Sequence, residues 1–462
     1  MRAAAAEKDG TGAGARVLAD RRLWLMFLFG ALSGLPLALS GFTLRQWLTE
    51  AHLSLAVTGL TANIGISYSL KFLWAPVMDH APAPFGLARF GRRRGWLLAV
   101  QPPLALAALA LALSDAATAP LATIAAAALV AFLSASQDIV IDAWRIETFE
   151  ERLQGAANAA YVWGYRLAML VSGAGVIALA GTLGWHGALL IPAVLLGAGP
   201  LVTWLAAEPA VRRAATPAAR GVFGRLSVAV LDPLRDFLRR PGAGAILAYV
   251  ATFKLGEAMA GVMLAPFFHD LGFNRAAVAA AVGPFSLAAT IAGYATGAAA
   301  VARLGLARAL ILTGFCQMGA MAMYVWLAVA PAHHALLYGT VVVEAFAEGV
   351  ADAAFLTYLS SLCSAAHTAT QYALLSSIAP LALRTIGGLS GFIAAAVGWP
   401  AFYTLSMLAS LPAMLLMLHI LRCWPTGADR ATPAQETLLA SPRRAGHVEA
   451  IPAEPGVGGR DG

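Results

Sequence analysis

Stretches of apolar residues long enough to cross a lipid bilayer recur about twelve times along this chain; roughly 20 residues span the hydrocarbon core as a helix. Backbone N–H and C=O groups in lipid must be paired within the segment, so such stretches are read as helices. A transmembrane barrel would show alternating segments of about ten residues, and the sequence has none. Only 12% of the 462 residues are charged while 60% are hydrophobic, a balance suited to lipid. The expectation is an all-α polytopic membrane protein, with spans at 23–44, 58–78, 95–114, 119–141, 159–180, 186–206, 242–267, 276–298, 304–327, 333–356, 370–397 and 400–421.

The basic residues orient these spans. Of 31 Lys and Arg, 25 fall in the two tails or in and beside the even-numbered connections, among them Arg21, Arg22, Arg212, Arg213, Arg239 and Arg240. The odd-numbered connections hold only Arg45 and Arg275. Excess Lys and Arg marks the cytoplasmic side, so both termini are expected there. The net charge of +7 then reflects membrane orientation and anionic lipid, not nucleic-acid binding. The first 20 residues lack the apolar core of a cleavable signal, and the first span reads as a retained anchor. Cys316, Cys363 and Cys423 have no metal-ligand spacing and read as free thiols, the first two as small packing residues.

The longest internal connection divides the chain into 1–206 (tail and six spans), a cytoplasmic linker at 207–241, 242–424 (six more spans) and a tail at 425–462. The two halves match weakly. A shift of 220 places Glu50 on Asp270; a shift of 218 places Arg166 on Arg384 and Gly173 on Gly391. Two parallel six-helix repeats resemble the plan of the major-facilitator transporters, in which two bundles rock about a central site. Gly30 and Gly34, Gly293 and Gly297, and Gly387 and Gly391 have the spacing of close helix contacts.

Ionisable residues inside spans are costly and so informative. Lys254 and Glu257 are three apart on one helix face and can neutralise each other. Asp138 and Asp142 lie one turn apart in SQDIVIDAW, and Glu344, Glu348 and Asp352 form an acidic stripe about 12 Å long. Carboxylates so close repel one another when all are ionised, which suits proton exchange; interhelix ion pairs are the structural alternative. Asp138, Glu257, Glu344 and Glu348 are the proton-coupling candidates. Lys71, Asp142, Arg166, Asp352 and Arg384 read as a gate or structural charge network. Asp79 and the run Arg92, Arg93, Arg94 belong to it as well, an acid and bases placed to tie helix ends together.

Several stretches are similar to the AmpG-type muropeptide permeases: GALSGLPLALSGFTLRQWLTEAHLSLAVTGL (30–60), YSLKFLWAPVMD (68–79), GRRRGWLL (91–98), SQDIVIDAWRIE (136–147) and AAFLTYLSSLCSAAHTATQYALLSS (353–377). The resemblance covers nearly all the spans. It implies proton-coupled import of N-acetylglucosamine linked to 1,6-anhydro-N-acetylmuramic acid, with or without a stem peptide, across the bacterial inner membrane for peptidoglycan recycling. The sequence departs from the family pattern where Arg45 precedes Gln46 and where Trp144 stands in place of Tyr.

A cavity for such cargo needs hydrogen-bonding groups, rings for sugar faces and a cation for carboxylate. Arg45, Gln46, Trp47, Asn158, Tyr161, Lys254, Gln371 and Tyr372 are the candidates, with Trp47, Tyr161 and Tyr372 equally readable as interface anchors. No catalytic motif sits between the spans, and nothing calls for a metal or organic cofactor. The expected partners are anhydromuropeptides, protons and membrane lipids, and the expected working unit is a monomer. Other readings are a carrier of another amphiphilic anion, a drug or an acetyl-coenzyme A-like substrate, an intramembrane enzyme, or a nontransporting receptor.

Overall fold

The computed structural model describes residues 20–209, 235, 237–362 and 384–423, all helices and turns among those residues. Helix α1, Arg21–Glu50, starts at an Asp20 cap whose Oδ1 accepts the Arg22 N–H at 2.9 Å. The Arg22 guanidinium also bonds this carboxylate, and together they hold Asp20 below its usual carboxylate range.

Eight helical stretches among the described residues are long and apolar enough to cross a membrane by length and composition. The eight fall short of the sequence expectation for local reasons. The fifth and sixth expected spans run on as one stretch, Ala156–Leu205. It contains α5, Glu151–Leu170, in large part, and α6, Val176–Gly197, which turns at Gly184, where φ is 70°. The second expected span overlaps a shorter apolar helix, α2 (Leu55–Leu70), and of the eleventh expected span residues 370–383 lie outside the described residues, leaving α11 (Arg384–Val397). The tenth, α10 (His334–Ser361), carries three acids. The remaining long helices are α3 (Arg92–Leu113), α4 (Pro120–Thr148), α7 (Ala243–Asp270), α8 (Arg275–Leu304), α9 (Leu306–Val329) and α12 (Trp399–Cys423).

Buried apolar side chains gather in one cluster drawn from residues 23–206 and two drawn from residues 237–420. Within the first, α1 and α5 touch backbone to backbone. A Cβ on Gly30 or Gly34 would collide with the carbonyl of Tyr161 or Tyr165, and one on Gly164 with that of Phe27. Gly293 and Gly297 of α8 lie in the same way on Phe346 and Val350 of α10. Gly391 of α11 lies on the Leu55 backbone of α2, so the glycine pairs sit where helices cross closely. Cys316 is exposed instead of packed, and Cys423 is exposed too; Cys363 lies outside the described residues.

Three helices widen where they line a common space. A π-helical turn interrupts α1 at Leu39–Thr43, another joins α5 to α6 at Val171–Gly175, and a third lies in α8 at Ala281–Phe285. Gly41 takes a non-helical φ of −108° and ψ of −114°. Thr43 Oγ1 donates to the Ser172 carbonyl at 2.8 Å, tying two of these turns together. All three face one central cavity, and such turns frequently mark functional sites.

Candidate functional site

The cavity has a volume of about 700 Å³ and is lined from both halves of the chain. Most of the charges that the sequence places inside helices reach it, Arg166, Lys254, Glu257, Glu344, Glu348 and Arg384, and so does Arg45, which the sequence places in a connection and the structure in α1.

On one wall, the four-residue spacing along α10 puts Glu344, Glu348 and Asp352 on one face. Lys254, in the turn that interrupts α7, projects among them. Its Nζ is 2.6 Å from Asp352 Oδ1, 3.0 Å from Glu257 Oε1 and 3.8 Å from Glu348 Oε1. One ammonium therefore serves three carboxylates. Asp352 Oδ2 accepts the Tyr294 hydroxyl at 2.9 Å, and Glu344 Oε2 accepts the Tyr324 hydroxyl at 3.3 Å. From sequence Lys254 was a candidate cargo ligand and a partner of Glu257; it pairs with Glu257 and sits at the centre of the acid cluster. Asp352, read from sequence as part of the gate, belongs to the same cluster.

A second group of lining charges is cationic. Arg45 comes from α1, Arg166 from α5 and Arg384 from α11. The Arg166 guanidinium lies 5.9 Å from the Tyr294 ring, and Arg384 lies 5.5 Å from the Tyr68 ring. Each arginine thus leans on a tyrosine from the other half of the chain, within cation–π range. The 218-residue equivalence of these arginines becomes a pair of reciprocal contacts.

The other candidates lie away from the cavity lining. Trp47 is buried and stacks on Trp185, their centroids 6.0 Å apart. Gln46 is buried and donates to Glu50 at 3.2 Å. Asn158 is exposed, and Tyr161 stacks on Tyr165 at 6.2 Å over the α1 crossing. Asp138 is buried in α4, with Oδ1 lacking a hydrogen-bond partner. Its neighbour Gln137 reaches the Leu32 carbonyl of α1 at 3.2 Å. Trp144, the departure from the family pattern, is buried and donates to the Ala207 carbonyl at 2.9 Å. Gln371 and Tyr372 lie outside the described residues.

The loop after α2 is a network of its own. Arg93 is 4% exposed, with Nη1 2.7 Å from Asp79 Oδ1 and Nη2 2.6 Å from Glu147 Oε1. Arg92 pairs with Glu147 at 3.0 Å, and the Arg94 N–H donates to Glu208 Oε2 at 2.9 Å. Lys71 and Arg145 lie 3.6 and 3.5 Å from Asp142. The sequence reading missed Glu147 and Glu208, which lie 54 and 115 residues from Arg93 in the chain and follow no local spacing. These partners all precede residue 209, so the network fastens loops within the first half of the chain.

At the end that carries the odd-numbered connections, Glu50 accepts from Trp185 Nε1 at 2.9 Å and from Arg275 Nε at 2.9 and 3.0 Å. The sequence reading treated Glu50 only as a repeat match and Arg275 only as an exception to charge bias. No group of three or more His, Cys, Asp or Glu side chains placed to hold a metal ion occurs among the described residues.

The profile of the Major Facilitator Superfamily matches residues 26–383. The chain is 37% identical over 405 residues to the anhydromuropeptide permease of Escherichia coli (strain K12), covering 87% of this chain and 80% of that one. It is 32% identical over 407 residues to a Rickettsia conorii protein described as a transporter, AmpG 4, covering 88% and 98%. Among solved structures, the bacterial homolog of the human lysosomal transporter Spinster, inward-facing and unoccupied, has a TM-score of 0.63 at 15% identity, covering 90% and 98%. The peptide transporter POT in complex with sulfate has a TM-score of 0.64 at 15% identity, covering 87% and 94%. These structures show the fold: an all-α, multi-pass membrane architecture.

Proposed function

Because this chain belongs to the Major Facilitator Superfamily and to the AmpG-like permeases within it, we propose that it imports anhydromuropeptides across the bacterial inner membrane, driven by protons and by alternating access. The observation that carries the reading is the cavity between the two halves of the chain, with one lysine shared by three carboxylates in its wall. The name of the Escherichia coli relative supports the cargo.

The full architecture proposed is twelve spans in two six-helix bundles, with the linker, both termini and the basic loops in the cytoplasm. The cavity's position between residues of both halves supports the rocking of one bundle against the other. The acid cluster supplies the driving device. Lys254 cannot fully neutralise Glu257, Glu348 and Asp352 together, so a proton on one of them relieves the excess negative charge. Rearranging the lysine's partners changes which carboxylate is left over, and so ties proton affinity to conformation. This geometry favours Glu257 and Glu348 as coupling acids, then Glu344; Asp138, off the cavity, is the weakest of the four candidates. The Glu50–Arg275 bridge closes one end and must break for cargo to enter there.

The test is uptake into energised proteoliposomes of anhydromuropeptides differing only in peptide length. Accumulation of intact labelled cargo that follows an imposed pH gradient is the expected result. Chemical conversion of the cargo, or binding without accumulation, would replace the reading with an enzyme or a receptor.

A further inference from the structure

We infer that Arg45, Arg166 and Arg384 form an anion-binding subsite that takes a carboxylate of the cargo and couples its charge to the closing of the two halves of the chain. The inference rests on the muropeptide-carrier reading and deepens it. The sequence reading gave Arg166 and Arg384 to a gate or structural charge network, offered Arg45 as a cargo-binding residue, and gave Lys254 either to a cargo carboxylate or to the control of Glu257. The contacts favour the second role for Lys254. Lys254 is already held by three carboxylates, whereas none of the three arginines makes an ion pair among the described residues.

Three guanidiniums lining one cavity, none with a carboxylate within ion-pair distance among the described residues, are electrostatically incomplete, because a charge withdrawn from water needs a partner. Buried donors point the same way: Arg45 Nε and Arg384 Nη1 have no hydrogen-bond partner. The ring contacts of Arg166 and Arg384 offer π faces, and no oxygen accepts from Arg45 Nε or Arg384 Nη1. A carboxylate is the group that fits, since a guanidinium fork matches its two oxygens and stays charged at any working pH.

The origin of each arginine supplies the coupling. Arg45 and Arg166 belong to the first half of the chain and Arg384 to the second, while the tyrosines beneath Arg166 and Arg384 each come from the opposite half. With no anion between them the guanidiniums repel across the interface; an anion shared among them attracts both sides. Charged cargo therefore favours the closed cavity more than neutral cargo of the same shape.

Full-length protein in lipid nanodiscs tests this with the anhydro-disaccharide carrying its free lactyl carboxylate and with the same disaccharide as the primary carboxamide. The unmodified protein should bind the acid at least tenfold more tightly than the amide. R166Q and R384Q should each weaken the acid about tenfold and leave the amide unchanged, erasing the discrimination; R45Q should act in the same direction. Equal binding of acid and amide by the unmodified protein overturns the subsite and leaves the muropeptide reading standing. If neither compound binds, the muropeptide reading falls and takes this inference with it. The comparison on unmodified protein needs no variant to fold.

Discussion

Arg275, the first residue of α8, holds Glu50, the last residue of α1, across 225 positions of sequence. The repeat-related contact is incomplete. Asp270, the repeat equivalent of Glu50, accepts Trp399 Nε1 at 3.0 Å much as Glu50 accepts Trp185 Nε1. Ser54 and Asn274 cap the following helices alike, accepting the N–H of Val57 and Ala277. The position 220 before Arg275, however, is Leu55. One acid of the pair is thus gripped from the other half, and the clasp is one-sided.

R275Q should therefore loosen that end alone. With native cysteines replaced and a single S286C in the cavity, an impermeant maleimide applied from the side of residues 53 and 272 should react several-fold faster in R275Q than in the parent. E50Q should act similarly, and the double variant should add little, because both remove one interaction. Unchanged labelling would mean that apolar packing, not the ion pair, keeps this end shut.

Among the coupling acids, E257Q and E348Q should abolish gradient-driven accumulation while cargo exchange continues. E344Q should have a smaller effect, and D138N should still concentrate cargo. Measuring both modes in proteoliposomes separates these outcomes. Normal accumulation by E257Q, E344Q and E348Q together would remove the cavity cluster as the proton site.

Tyr294 joins the two groups of charges: its ring faces Arg166 and its hydroxyl donates to Asp352. Tyr294→Phe keeps the ring and removes the hydroxyl. Cargo affinity should hold within about twofold, while gradient-driven accumulation falls, since Asp352 loses a donor beside Lys254. Accumulation equal to the parent's would show that the hydroxyl has no part in coupling.

In the loop network, R93Q leaves Asp79 and Glu147 short of a buried partner and should cost about 2–3 kcal/mol of stability, by analogy with other hydrogen bonds to charged groups. A latch between the two halves of the chain would make Asp79→Asn shift the balance between open and closed forms. With all partners of this network in the first half of the chain, both variants should lower the thermal unfolding midpoint and leave that balance where it was. A population shift seen by labels on the two halves would contradict this.

Gly34→Val should separate α1 from α5, because the carbonyl of Tyr165 occupies the space a side chain needs. Overpacking at such a crossing costs about 1–3 kcal/mol or more, so a lower yield of folded protein on size-exclusion chromatography is expected. Gly244, where an added Cβ would meet nothing within 4 Å, is the control, and Gly244→Ala should be neutral.

By itself the sequence determined what depends on composition and short-range period. Apolar length dictated membrane helices; the four-residue spacing put Glu344, Glu348 and Asp352 on one face; Gly30 and Gly34 marked a close crossing; and the 218-residue offset paired Arg166 with Arg384. Asp79 and Arg93, 14 residues apart, were near enough to pair by eye. Only the tertiary structure decided which charges are satisfied. Lys254 sits three residues from Glu257, yet its shortest contact is with Asp352, almost a hundred residues on. Arg275 finds Glu50, and Arg93 finds Glu147 and Glu208, across distances in sequence that carry no periodic signal. The physical reason is that a helix fixes the face a charge occupies, whereas its counter-ion is set by which other faces the packed helices bring within 3 to 4 Å; here that leaves three arginines facing a cavity with no carboxylate of their own.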